Sequence, residues 1–166
     1  MSRAEAEDFF FALLAREAAQ RGADLPEESL RAELSLTVAR EAHAQDGTTS
    51  LTFDLAQRLS DLTIELDAET GALFSYYLDF LAAGGDRSLP EDEALALATA
   101  IAAPPPGAVL ERAGYEARGP RIMYRARFRH EADGLPVEGD FIEVLVNGKN
   151  RRAFALTRRW RTPRLG

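Results

Sequence analysis

The chain contains no cysteine, which excludes a disulfide framework, a thiol nucleophile and any thiolate metal site. Histidine is scarce: His43 and His130 are the only two. A zinc centre takes three or four ligands at suitable spacing, and none is visible, so no metal is expected. No Gly-x-Ser-x-Gly elbow and no phosphate-cradling glycine-rich loop occurs. Asp67 to Gly71 resembles the start of a calcium loop, but position twelve of such a loop would be Leu78, not an acid. Carboxylates are plentiful, yet no pair stands out as held apart for acid–base work. The sequence therefore predicts no catalytic residue and no cofactor. No apolar run approaches the roughly 20 residues that a membrane-spanning helix needs. Met1-Ser2-Arg3-Ala4-Glu5 leads to Asp8 with no apolar stretch and small-residue cleavage site. The expectation is no signal peptide and a cytoplasmic location, or an extracytoplasmic one if a leader has been removed.

What is present fits a globular chain of 166 residues with 46% hydrophobic and 28% charged residues. The net charge of −7 hides a division. Residues 1–100 hold 7 Arg/Lys against 20 Asp/Glu, giving −13, and residues 101–166 hold 13 against 7, giving +6. Either the two halves attract each other or the basic half meets an acidic partner. The overall charge argues against nucleic acid. Lys149 is the single lysine.

Along the chain, Ser2 and Glu5 form a capping-box pattern. Ala6, Phe10, Leu13 and Glu17 then give a helical stripe, predicting a helix over 3–21 that stops at Gly22. From Glu33 the period changes to two, with Leu34, Leu36 and Val38 alternating with Ser35, Thr37 and Ala39. This is a half-buried strand. Asp46-Gly47 is a hairpin signal. Strands follow at 49–55, 62–67 and 73–80. Ala82 to Arg87 reads as a linker. Ser88 with Glu91 repeats the capping-box pattern, and Ala94, Leu97, Ala98 and Ile101 mark a shorter helix ended by Pro104-Pro105-Pro106-Gly107. Four more strands are predicted at 109–117, 122–130, 137–147 and 152–160, with turns at Gly119-Pro120, Asp133-Gly134 and Asn147-Gly148.

Helix-β-β-β-β thus occurs twice. The prediction is an α+β protein of two tandem units, 1–81 and 88–166 joined by 82–87, each with one helix on a four-stranded antiparallel sheet. The second unit resembles a PepSY-type domain and, over Tyr124 to Trp160, the propeptide region of thermolysin-like and fungalysin-like peptidases. The residues carrying this are Asp133-Gly134-Leu135-Pro136-Val137-Glu138-Gly139-Asp140, the alternating Phe141 to Val146, and Asn147-Gly148. In the first unit Asp67 to Gly71 before Leu73-Phe74-Ser75-Tyr76 is a weaker match. The resemblance implies a non-catalytic module that binds or restrains a peptidase or another protein partner. The alternative is an acidic adaptor of the cystatin-like or secretion-chaperone-like kind.

Arg125, Arg127 and Arg129 share one face of a strand by period two. Arg151 and Arg159 are expected on the same face of the last strand, with Ala153, Ala155 and Thr157 between them and Glu143 on the strand that separates the two. The face reads either as cross-strand ion pairs or as the binding site for an acidic protein. Tyr124, Phe128, Phe154 and Trp160 point the other way, so a base-stacking platform is not expected. His130 reads as a polar cap at a strand end.

Overall fold

The computed structural model describes residues 4–5, 8, 11–12, 15–16, 28, 38–43, 49–57, 60–67, 73–78 and 82–160. The chain divides into two compact units, Met1–Leu73 and Phe74–Gly166.

In the first unit the described residues within 4–16 are helical, in line with the stripe predicted there. Three strands follow, β1 (Val38–His43), β2 (Thr49–Gln57) and β3 (Ser60–Asp67). They form an antiparallel meander. The register sets Leu51 opposite Leu66, Phe53 opposite Ile64 and Leu55 opposite Leu62, so the alternating apolar residues of β2 and β3 fall on one face. The expected strand residues 33–37, including Leu34 and Leu36, lie outside the described residues. So do the side chains of Val38, Leu62, Ile64 and Leu66.

Among its described residues the second unit holds β4 (Leu73–Leu78), the helix α1 (Glu91–Ala102), β5 (Ala108–Arg118), β6 (Arg121–Ala132), β7 (Leu135–Asn147) and β8 (Arg152–Arg159). All pairs are antiparallel, and the order across the sheet is β4-β8-β7-β6-β5. The α+β expectation holds here as one helix on an antiparallel sheet, but the sheet has five strands, not four. The extra one is β4, which the sequence reading placed at the end of the first unit. It pairs with β8 through Ser75–Thr157, Tyr76–Leu156 and Tyr77–Ala155.

Local chemistry explains the hairpins. Asp133 and Gly134 have φ of 54° and 75°. Two successive positive values make a type I′ turn, which suits the twist of paired strands and favours Asp-Gly. Alternation does the rest. On β6 and β7, Tyr124, Ala126, Phe128, Ile142, Val144 and Val146 are 0–6% exposed, and α1 lies across them with Ala94, Ala98 and Ala102 buried. Phe154 and Leu156 complete this core.

Two local expectations are corrected. The helix begins at Glu91 with Pro90 as N-cap and no side-chain cap bond. The Ser88–Glu91 capping box does not form, because the Ser88 amide instead donates to Asp86 Oδ1 at 2.9 Å. The acidic first turn, Glu91-Asp92-Glu93, supplies the favourable charge at that end. Nor does 82–87 behave as a linker between units, for it lies inside the second unit. Residues 82–90 form a strap over one end of the sheet. Ala82 and Leu89 are buried, and Tyr115 Oη donates to the Leu89 carbonyl at 2.5 Å. A Cβ on Gly85 would collide with the Ile122 carbonyl, so the strap approaches β6 as closely as glycine allows.

Candidate functional site

The face of the sheet opposite α1 carries the predicted arginines. Arg125 Nε binds Glu116 Oε2 at 3.0 Å and its Nη1 binds Glu143 Oε2 at 2.8 Å. Arg127 Nη1 reaches the same Glu143 oxygen at 3.2 Å, and its Nε binds Glu111 at 3.1 Å. Arg112 closes the row on Glu116 at 2.5 Å. Arg129 pairs with Glu131 two residues on. The register puts Glu143 directly opposite Arg127, so one carboxylate serves two guanidinium groups. Arg125 is only 7% exposed, and a buried guanidinium requires such partners.

The register also defines a row at the end of this face. Arg129 lies opposite Phe141, and Phe141 lies opposite Arg159. The Arg127 guanidinium sits 3.9 Å from the centre of the Phe141 ring, a cation–π contact. Phe141 thus has the Arg127 guanidinium on its ring and Arg129 and Arg159 as its register neighbours on the two flanking strands, a collar of three arginines in sequence position. Sequence reasoning placed no aromatic here. Phe141 shares the parity of Glu143 along β7, and that parity was the signal available.

Arg151 does not join this face. Between Leu145 and Val146 the register against β8 slips, placing Ala153 opposite the buried Val146. One inserted residue, Phe154, reverses the in–out alternation beyond it. Arg151 falls in the turn with φ of 58°, and its Nη1 points to Glu93 of α1 at 3.7 Å. The predicted set of five therefore splits into buried Arg125, the collar of Arg127, Arg129 and Arg159, and Arg151 on the helix side.

On the helix face, His130 does not end its strand as expected, because β6 runs on to Ala132, and it has a partner the sequence did not indicate. Its Nδ1 lies 2.9 Å from Asp140 Oδ2, Asp140 is 4% exposed, and the His130 ring stacks on Trp160 at 4.2 Å. Gly107, just past the helix, packs here too, and its carbonyl accepts from the Glu131 amide at 2.8 Å. One row inward, Arg158 reaches the Ala102 carbonyl at the C-terminus of α1. Burial lowers the Arg158 pKa, and the negative end of the helix dipole meets its charge. Among the described residues, no group of three or more His, Cys, Asp or Glu side chains gathers to hold a metal ion. His43 lies in β1.

The strap has its own electrostatics. Hydrogen bonds from Ser88, with a lesser contribution from Lys149, hold Asp86 below the ordinary carboxylate range. Burial pushes Tyr115 up, with Asp86 and Glu91 adding to it. Burial also raises Tyr124, again with a contribution from Glu91.

The chain matches no protein-family model, and no curated protein matches it. Among solved structures it is similar to the Bacillus megaterium YpeB C-terminal domain, with a TM-score of 0.60 and 10% identity over 100% of this chain and 69% of that one. At that identity the likeness concerns fold alone. It supports a PepSY-like fold and does not establish two tandem copies. Among the described residues no helix is long and apolar enough to cross a membrane.

Proposed function

We propose that this chain is a non-catalytic protein-binding module that restrains or regulates a peptidase, its first half being a degenerate relative of the second. The observation that carries the binding part is the arginine-collared Phe141. An aromatic between Arg129 and Arg159 offers apolar area and positive charge together, the pairing enriched in interface hot spots. It suits an acidic segment that ends or turns on an apolar side chain. The peptidase part rests on the PepSY resemblance. Arg125 is not assigned to binding, because it is buried and its guanidinium is engaged by Glu116 and Glu143, whereas Arg129, though paired with Glu131, stays exposed.

The test uses the full chain as bait in native lysate, wild type against Arg129→Glu/Arg159→Glu. The double variant is expected to keep its circular dichroism and lose the captured protein. Wild-type capture should weaken with salt as the Debye length shrinks from about 10 Å toward 3 Å. The captured protein, if a peptidase, should lose activity when the wild-type chain is added. A double variant that captures the same protein undiminished removes this face from the interaction. Capture without any effect on a peptidase's activity removes the regulatory part.

A further inference from the structure

The turn after β7 places a reactive dipeptide under the strap. Asn147 is 0% exposed. Its Nδ2 donates to the Ala83 carbonyl at 3.0 Å, and its Oδ1 accepts from the Lys149 amide at 2.9 Å and the Asn150 amide at 3.4 Å. Both ends of the amide are therefore fixed, one by the strap and one by the turn. The next residue has no side-chain alternative. A Cβ on Gly148 would run into the Asp86 carbonyl and lie 2.5 Å from Tyr115 Oη. Strap packing thus requires glycine at 148, while the Ala83 carbonyl and the two turn amides call for a side chain that both donates and accepts at 147.

Asn followed by Gly is also the pair in which backbone attack on the side-chain amide is least hindered. The Gly148 nitrogen bonds to Asn147 Cγ, the Cγ–Nδ2 bond breaks, and the nitrogen's proton leaves with the departing ammonia. Water then opens the resulting succinimide at either carbonyl, giving aspartate or isoaspartate. In the closed fold, the hydrogen bonds above hold the Asn147 amide in place.

We propose that Asn147-Gly148 is a strap-gated deamidation site. With residues 82–90 closed the amide is protected. Opening the strap exposes it to a one-way conversion that removes the donor to Ala83 and sets a carboxylate against that carbonyl, so the strap no longer fastens. The gate records the history of opening of this end of the sheet and is independent of the partner-binding face.

The experiment follows residue 147 by peptide mapping in the full chain at mildly alkaline pH. Wild type should convert at least about tenfold more slowly than the same chain unfolded in urea, as expected for a group reached only by local opening. Tyr115→Phe, which lacks the hydroxyl bonded to Leu89, should convert faster than folded wild type. Asn147→Asp should show faster hydrogen exchange across 83–90 with the sheet amides unchanged. Equal conversion in folded and unfolded wild type overturns the proposal. So does a folded Tyr115→Phe that converts no faster, or an Asn147→Asp chain whose strap exchanges as slowly as wild type.

Discussion

The two faces of the five-stranded sheet are built from alternate residues of the same strands, yet they rest on different physics. Under α1, Ile142, Val144 and Val146 are 0% exposed and contribute through the area they remove from water, whatever their neighbours' orientation. On the other side, Arg125, Arg127 and Glu143 are held by directed contacts between charges. Apolar packing tolerates exchange among similar shapes. An ion-pair row does not, because each member answers for another's desolvation. The first face thus supplies most of the stability, and the second fixes which residues stand opposite one another.

The largest break in this contrast should come from Ile142→Ala. Transfer and cavity costs put the loss at about 2–5 kcal/mol by urea unfolding, and a loss under about 1 kcal/mol would place stability elsewhere than the helix face. Next is Arg125→Ala, which leaves Glu116 and Glu143 half-buried with a partner missing. About 1–3 kcal/mol is expected, with part of it recovered in Arg125→Met/Glu143→Met, where the charge is removed from both sides. A double variant no better than the single would show that geometry, not charge balance, governs this face.

Arg127→Ala should cost only about 0.2–1 kcal/mol, as for other partly exposed pairs, despite its contact with Phe141. A larger loss would make the collar structural.

The smallest effect concerns pH. Asp86 is depressed in the fold, so its contribution is complete above the ordinary value of about 3.8 and is lost as pH falls through the lower folded one. Tyr115 is raised, so its contribution is complete below about 10.0 and is lost as pH climbs through the higher folded value. Protection of the Ser88 and Leu89 amides, taken relative to their unfolded exchange rate at each pH, should therefore fall at both extremes. Asp86→Asn should remove the acid limb alone, and an unaltered acid limb in that variant would dismiss Asp86 as its source.

The sequence carried the strands of this half clearly, because β6, β7 and β8 are half-buried and alternate strictly. It carried the turns because Asp133-Gly134 has few other uses. Arg125 and Arg127 facing Glu143 also followed, once a meander was assumed. Four features did not follow, each for want of a local signal. The pairing of β4 with β8 joins residues some eighty positions apart, and nothing in Leu73–Leu78 states its neighbour. The strap reads as a linker because glycine marks close approach as readily as flexibility; Gly85 belongs to the first kind. The bulge at Phe154 inverts parity without altering composition, which misplaced Arg151. The His130–Asp140 pair went unseen because it falls at the register shift between Arg129 and Glu131, which counting by twos along the strands does not reveal.

The position of β8 has a consequence for how the protein is made. It is a central strand, with β7 on one side and β4 on the other, yet it follows both in the chain. As synthesis proceeds, α1 and the β5–β6–β7 meander can assemble while β4 still waits for its neighbour. The sheet then has an open slot flanked by two unpaired edges, the condition that favours wrong strand pairing. Arg152–Arg159 fills that slot last, so completion of the sheet is tied to the late arrival of eight residues.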